Sequence, residues 1–171
     1  MPALGLTDQD RALIEATARN DIEGARRLIA AGANVNAQDE NRDSAFLLAG
    51  AEGRLEILKL TLEAGADLRS TNRYGGTALI PACHHGHVET VRALLKTAID
   101  VDHVNRLGWT ALLEVAILGD GSARYLEIAR LLLAHGASPN LADRQGVTPL
   151  AHARQRGHSA LAALLAEAGA R

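Results

Sequence analysis

Apolar residues recur along this chain with one spacing nested inside another. Within short stretches Leu, Ile, Val and Ala stand three or four positions apart, the interval at which one face of an α-helix returns. Those stretches themselves return every 33 residues. TALIPACHHGHVETVRALL, Thr77 to Leu95, has a counterpart one step back in SAFLLAGAEGRLEILKLTL from Ser44, and one step forward in TALLEVAIL from Thr110, which resumes after five extra residues as YLEIARLLL. TPLAHARQRGHSALAALL from Thr148 is a further copy, and RALIEATARNDIEGARRLI from Arg11 is a worn one. Each copy predicts two short helices, and a unit this small buries its apolar face only by stacking on a neighbour. The chain therefore reads as a single elongated all-α domain of five stacked helix-turn-helix repeats, at about residues 7–39, 40–72, 73–105, 106–143 and 144–171.

The punctuation between helices agrees with this period. Thr7 is a candidate N-cap, with Asp8 and Asp10 placed favourably against the helix dipole. Asn20 and Asp21 turn the first copy into a second helix over Ile22 to Ala31. Gly32, Gly65, Gly136 and Gly169 stand where helices stop, and Ala98 takes that place in the third copy. Polar segments follow, among them GANVNAQDENRDS and GADLRSTNRYGGT, and read as loops. Gly75, Gly108 and Gly146 lie two residues before the Thr that opens a helix, where a tight turn favours positive φ; Arg42 replaces glycine there, which predicts a less regular turn. The five extra residues, Asp120 to Arg124, are expected to lengthen the connection between the two helices of the fourth copy.

The unit G-x-T-A/P-L-x-x-A-x-x-x-G-H-x-E-x-x-x-x-L-L resembles the ankyrin repeat. Gly75, Thr77, Leu79, Ala82, Gly86, His87, Glu89, Leu94 and Leu95 carry it in the third copy, and Thr148, Pro149, Leu150, Ala153, Gly157, His158, Leu164 and Leu165 in the fifth. The runs RYGGTALIPA and NRLGWTALLE are similar to those of a bacterial group within that family. The resemblance implies a solenoid with β-turn loops projecting as fingers, a concave groove, and a protein or peptide partner held by the fingertips and the inner face of each first helix. On this chain the positions so implied include Arg73, Tyr74, Arg106, Leu107, Trp109, Arg144 and Gln145 on fingers, and His84, His85, Glu114, Ile117 and Leu118 on helices. Glu114 is expected to face the groove in a solvated register. His87 is expected to support its turn.

Aromatic residues are 2% of the chain, so their placement carries information. Phe46 falls on a core position, Tyr74 and Trp109 fall on consecutive fingers, and Tyr125 lies beside the inserted residues. A repeat array folds without a fingertip Trp, whereas Trp and Tyr are enriched among strong interface contacts. Arginines along the fingers suggest an apolar and basic groove suited to a hydrophobic, acidic partner. His84, His85 and His87 with Cys83 invite a metal reading with Glu114 or His152 as further ligands, and the alternative function is a small-molecule or metal-binding protein using groove residues such as His84, His85 and Glu114. His87 belongs to the repeat motif and adjacent helical residues point about 100° apart, which argues against an ion. Glu15 and Glu114 come from distant copies, and no nucleophile elbow, zinc-protease helix or phosphate-binding glycine loop occurs. No cofactor and no catalysis are expected.

The net charge of -2 and pI of about 6.4 give no general attraction to nucleic acid or anionic lipid. Cys83 is alone, which rules out an intramolecular disulfide. No apolar run approaches the roughly 20 residues of a membrane span, and Met1 to Leu6 is too short for a secretory leader. These features point to a monomer in the cytoplasm, or in the periplasm where a leader has been removed.

Overall fold

A computed structural model describes residues 5–171, so the reading of Met1 to Leu6 falls largely outside the described residues. The described residues form ten helices and no strand, in five consecutive pairs: α1 (Asp8–Ala18) with α2 (Ile22–Ala30), α3 (Ala45–Glu52) with α4 (Leu55–Glu63), α5 (Leu79–His84) with α6 (Val88–Leu95), α7 (Ala111–Leu118) with α8 (Ala123–Ala134), and α9 (Pro149–Gln155) with α10 (Ser159–Glu167). The first helices of the pairs pack on one another in order, α1 on α3 through to α7 on α9, and the second helices do the same. Two parallel rows result. Their shared core contains Leu13, Phe46, Ile57, Leu58, Leu79, Leu94, Leu112, Ile128, Leu132, Leu161 and Leu165, each at most 2% exposed. Phe46 thus occupies the core position its spacing predicts.

Side-chain caps start four of the five first helices. The hydroxyls of Thr7, Ser44, Thr110 and Thr148 accept from the amides of Asp10, Leu47, Leu113 and Ala151, which satisfies donors that have no partner within the helix. Thr77 departs from the pattern. Its hydroxyl has no hydrogen-bond partner, although it is buried, and α5 begins two residues later without a side-chain cap. Pro81 is the reason: it supplies no amide for the carbonyl four residues earlier, so the turn tightens and the Ile80 amide donates to the Thr77 carbonyl instead.

Three further expectations are corrected. Arg42 adopts φ 61° and closes the same two hydrogen bonds as the glycine turns, with the Arg42 amide donating to Asp39 O and the Asp39 amide to Asp43 O; the turn is regular, at the cost of left-handed strain. The inserted residues do not only lengthen a loop. Ala123 and Arg124 form the start of α8, a helix of 12 residues, and Arg124 packs its stem over Gly86 in the preceding pair. His87 acts between repeats, its Nε2 donating to the Ala51 carbonyl at 3.1 Å while its ring lies against Gly53. Where Ala98 replaces glycine, α6 is stopped by Thr97, whose hydroxyl donates to Leu94 O and accepts from the Ile99 amide.

Candidate functional site

The groove is built on four finger bases. Asp39, Asn72, Asn105 and Asp143 each place a side-chain oxygen under a fingertip and accept two backbone amides, from residues two and four positions on: Asn41 and Asp43, Tyr74 and Gly76, Leu107 and Trp109, Gln145 and Val147. Each tip is thereby fixed as a turn. The sequence reading passed over these four residues, although Asp or Asn recurs three positions before the turn residue in all four loops. Fingers are also fastened to one another. Gln38 Nε2 donates to Thr71 O at 2.9 Å, and His103 Nε2 donates to Gly75 O at 2.8 Å. Arg106 donates from its amide to Tyr74 O and from its guanidinium to Arg73 O.

Nine residues after each finger base stands a residue of the first helix: Leu48, Pro81, Glu114 and His152. In the last two the base and the helix residue form a pair with donor and acceptor exchanged. Asn105 Nδ2 donates to Glu114 Oε1 at 3.1 Å, whereas His152 Nε2 donates to Asp143 Oδ2 at 2.7 Å. Between fingers and helices at the middle of the array lies a cavity of about 490 Å³. Arg73, Tyr74, Leu107 and Trp109 line it from the fingers, and His84, His85, Glu114 and Leu118 from the helices. Tyr74 and Leu107 are more than half exposed, at 56% and 53%. Trp109 is half-buried.

The other sequence-predicted residues lie elsewhere. Arg106 and Arg144 turn back along the preceding finger, their stems packed over Gly75 and Gly108, so they brace neighbouring tips. Gln145 is exposed at its own tip, and Ile117 is buried in the helix layer. Asp43, Glu52, Asn72, Ile80 and Asn105 join the lining.

Charge in the cavity differs from the basic groove that the finger arginines suggested. Three carboxylates, Asp43, Glu52 and Glu114, face one guanidinium, Arg73, whose Cζ stands 4.9 Å from the Tyr74 ring centroid. Glu114 is not the solvated carboxylate expected. It is 5% exposed because its side chain folds onto Asn105, and burial pushes its carboxyl up to about 7, against the lowering effect of the Asn105 hydrogen bond. Oε2 is buried with no hydrogen-bond partner; His84 Nδ1 is 3.8 Å away, too far to donate. Burial and the neighbouring His85 hold the His84 imidazole below its ordinary value.

A family model described as ankyrin repeats (3 copies) matches residues 13–105, 46–143 and 99–171, nearly the whole length. The chain belongs to the ankyrin repeat family. A crystal structure of an ankyrin repeat domain from Acinetobacter baumannii AYE superposes with a TM-score of 0.92 at 55% identity, covering 100% of this chain and 89% of that one. A second, of the ankyrin repeat protein EF0377, gives a TM-score of 0.88 at 42% identity over 91% of this chain and 79% of its own. The putative ankyrin repeat protein YahD of Escherichia coli K12 is 52% identical over 58 residues, a segment covering 34% of this chain and 29% of YahD.

Ankyrin repeats are in general protein–protein interaction modules and non-enzymatic scaffolds. The metal reading of the histidines takes a different form in this ankyrin fold. Because α5 ends at His84, the rings of His84 and His85 are not splayed as on a continuing helix; they stack, with centroids 4.5 Å apart and planes 12° apart. His152 is engaged by Asp143, and no three His, Cys, Asp or Glu side chains converge at ligating distance among the described residues. No helix among them is long and apolar enough to cross a membrane.

Proposed function

We propose that this ankyrin array is a non-catalytic module, one domain of five repeats, that holds a segment of a protein or peptide partner in its groove. The partner is an enzyme that the module regulates or protects, or an assembly factor, and the module acts as a monomer without nucleic acid or membrane. Tyr74, Leu107 and Trp109 are the centre of contact. The observation that carries this reading is the exposure of Tyr74 and Leu107 on adjacent fingers, beside Trp109, around a cavity of about 490 Å³. Aromatic anchors over a pocket are the usual source of interface energy. Fingers tied through Gln38, His103 and Arg106 lose little freedom on binding, so less of the contact energy is spent on ordering.

The test is affinity capture from the source cell's lysate with wild type and with Tyr74→Ala, Trp109→Ala, after circular dichroism has shown equal helicity. A protein retained by wild type and lost by the double variant is the expected result. Equal retention by both refutes the groove as the site and turns attention to the Asp120 to Arg124 segment.

A further inference from the structure

The unsatisfied oxygen of Glu114 says what kind of side chain the groove receives. A buried carboxylate oxygen without a donor is costly, and native proteins retain few of them without a reason. Oε1 is occupied by Asn105, and Oε2 has no partner within the molecule. The Glu114 side chain is 6% exposed yet lines the cavity, with the His84 ring beside Oε2 at 3.8 Å. His84 makes no side-chain hydrogen bond and is 42% exposed at its side chain, so its ring is held only by stacking on His85. The surroundings favour a cation. Asp43 and Glu52 add two carboxylates, the only guanidinium in the lining is engaged over Tyr74, and Trp109 adds an aromatic ring.

We infer that the groove seats a lysine side chain of the partner, its stem against Trp109 and Leu107 and its ammonium donating to Glu114 Oε2 once the His84 ring has turned aside. This rests on the groove-binding reading above and adds the chemistry of the anchor residue. Lysine fits better than arginine. A guanidinium favours both oxygens of a carboxylate at once, and here one is already bound, whereas an ammonium is satisfied by a single acceptor at the end of a slender stem. Burial, which raises the Glu114 carboxyl to about 7, works against a free anion at the cavity floor, and an arriving ammonium restores the charged form.

The full chain, with its Glu side chains carrying a 13C-labelled carboxyl, is titrated with n-butylammonium, n-butylguanidinium and 1-butanol. The Glu114 carboxyl and the Trp109 indole N–H are followed by NMR. Butylammonium is expected to shift both resonances saturably at millimolar concentration, more tightly than butylguanidinium, with butanol far weaker. Glu114→Gln, which keeps an acceptor for Asn105, is expected to weaken the Trp109 response about tenfold or more. An equal response to butanol, tighter binding of butylguanidinium, an unchanged response in Glu114→Gln or no saturable shift overturns the lysine anchor. Loss of the groove reading is separable from this. If Glu114→Gln captures the same partner that Tyr74→Ala, Trp109→Ala loses, the groove binds but lysine is not its anchor.

Discussion

Replacing Glu114 by Gln should stabilise the protein by an amount that grows with pH, and the growth can be worked from the structure. Burial raises the carboxyl from 4.5 to about 7, and each pKa unit is worth 1.36 kcal/mol, so ionising Glu114 in the folded state costs about 3 kcal/mol more than in the unfolded chain. The sign follows from proton binding. Between these two values the folded state holds the proton and the unfolded state does not, so stability falls as pH rises from about 4.5 to about 7 and the penalty is complete above that window. Gln bears no titrating group and still accepts from Asn105. Urea unfolding followed by far-UV circular dichroism at several pH values, for both proteins, gives a difference from which every shared titration cancels. That difference should rise by about 3 kcal/mol across the window and then level off. The His84 imidazole sits 3.8 Å from Glu114 and is itself titratable, so the same pair is compared on a His84→Ala background to remove their coupling. A difference that stays flat, or that falls with pH, refutes the account of Glu114 as a buried carboxylate lacking one partner.

Two further expectations concern the scaffold. Gly53→Ala places a Cβ within 2.9 Å of three His87 ring atoms at φ 69°, and should cost about 1–3 kcal/mol of unfolding free energy; a change inside about 0.5 kcal/mol would contradict the strain argument. Cys83 is fully buried and its thiol is pushed far above its ordinary value by burial, so a thiol reagent should modify it only as the chain unfolds; labelling of native protein at the rate of a free thiol would contradict its burial.

The stacked helix pairs were legible because they depend on spacing alone: apolar residues at three and four, a 33-residue return, and glycine or Thr at fixed steps. Phe46 shows this best. What escaped was set by interactions between copies. Thr77 reads as a cap by analogy with Thr110 and Thr148, but Pro81, in a register held elsewhere by Leu48 and Glu114, removes the amide that would have kept its helix start regular. Glu114 shares that groove register, and only the Asn105 amide, nine residues earlier, turns its carboxyl inward. The finger arginines were read as a basic lining because a long side chain does not announce its direction; Arg106 and Arg144 lie back over glycines one finger away, where the absence of a Cβ leaves room. The lengthened fourth copy was counted as loop because the pattern fixes where extra residues fall, not that Ala123 and Arg124 continue a helix.

The cavity draws its lining from Asp43 through Leu118, so the first pair, α1 and α2, and the last, α9 and α10, contribute nothing to it. In an array whose rows pack chiefly neighbour on neighbour, a local opening is passed on only one interface at a time. The flanking pairs therefore serve as buffers. A disturbance in α1 and α2 or in α9 and α10 must cross an interface before it reaches the Tyr74 and Trp109 rims, so the shape offered to a ligand is insulated from events outside the three central pairs.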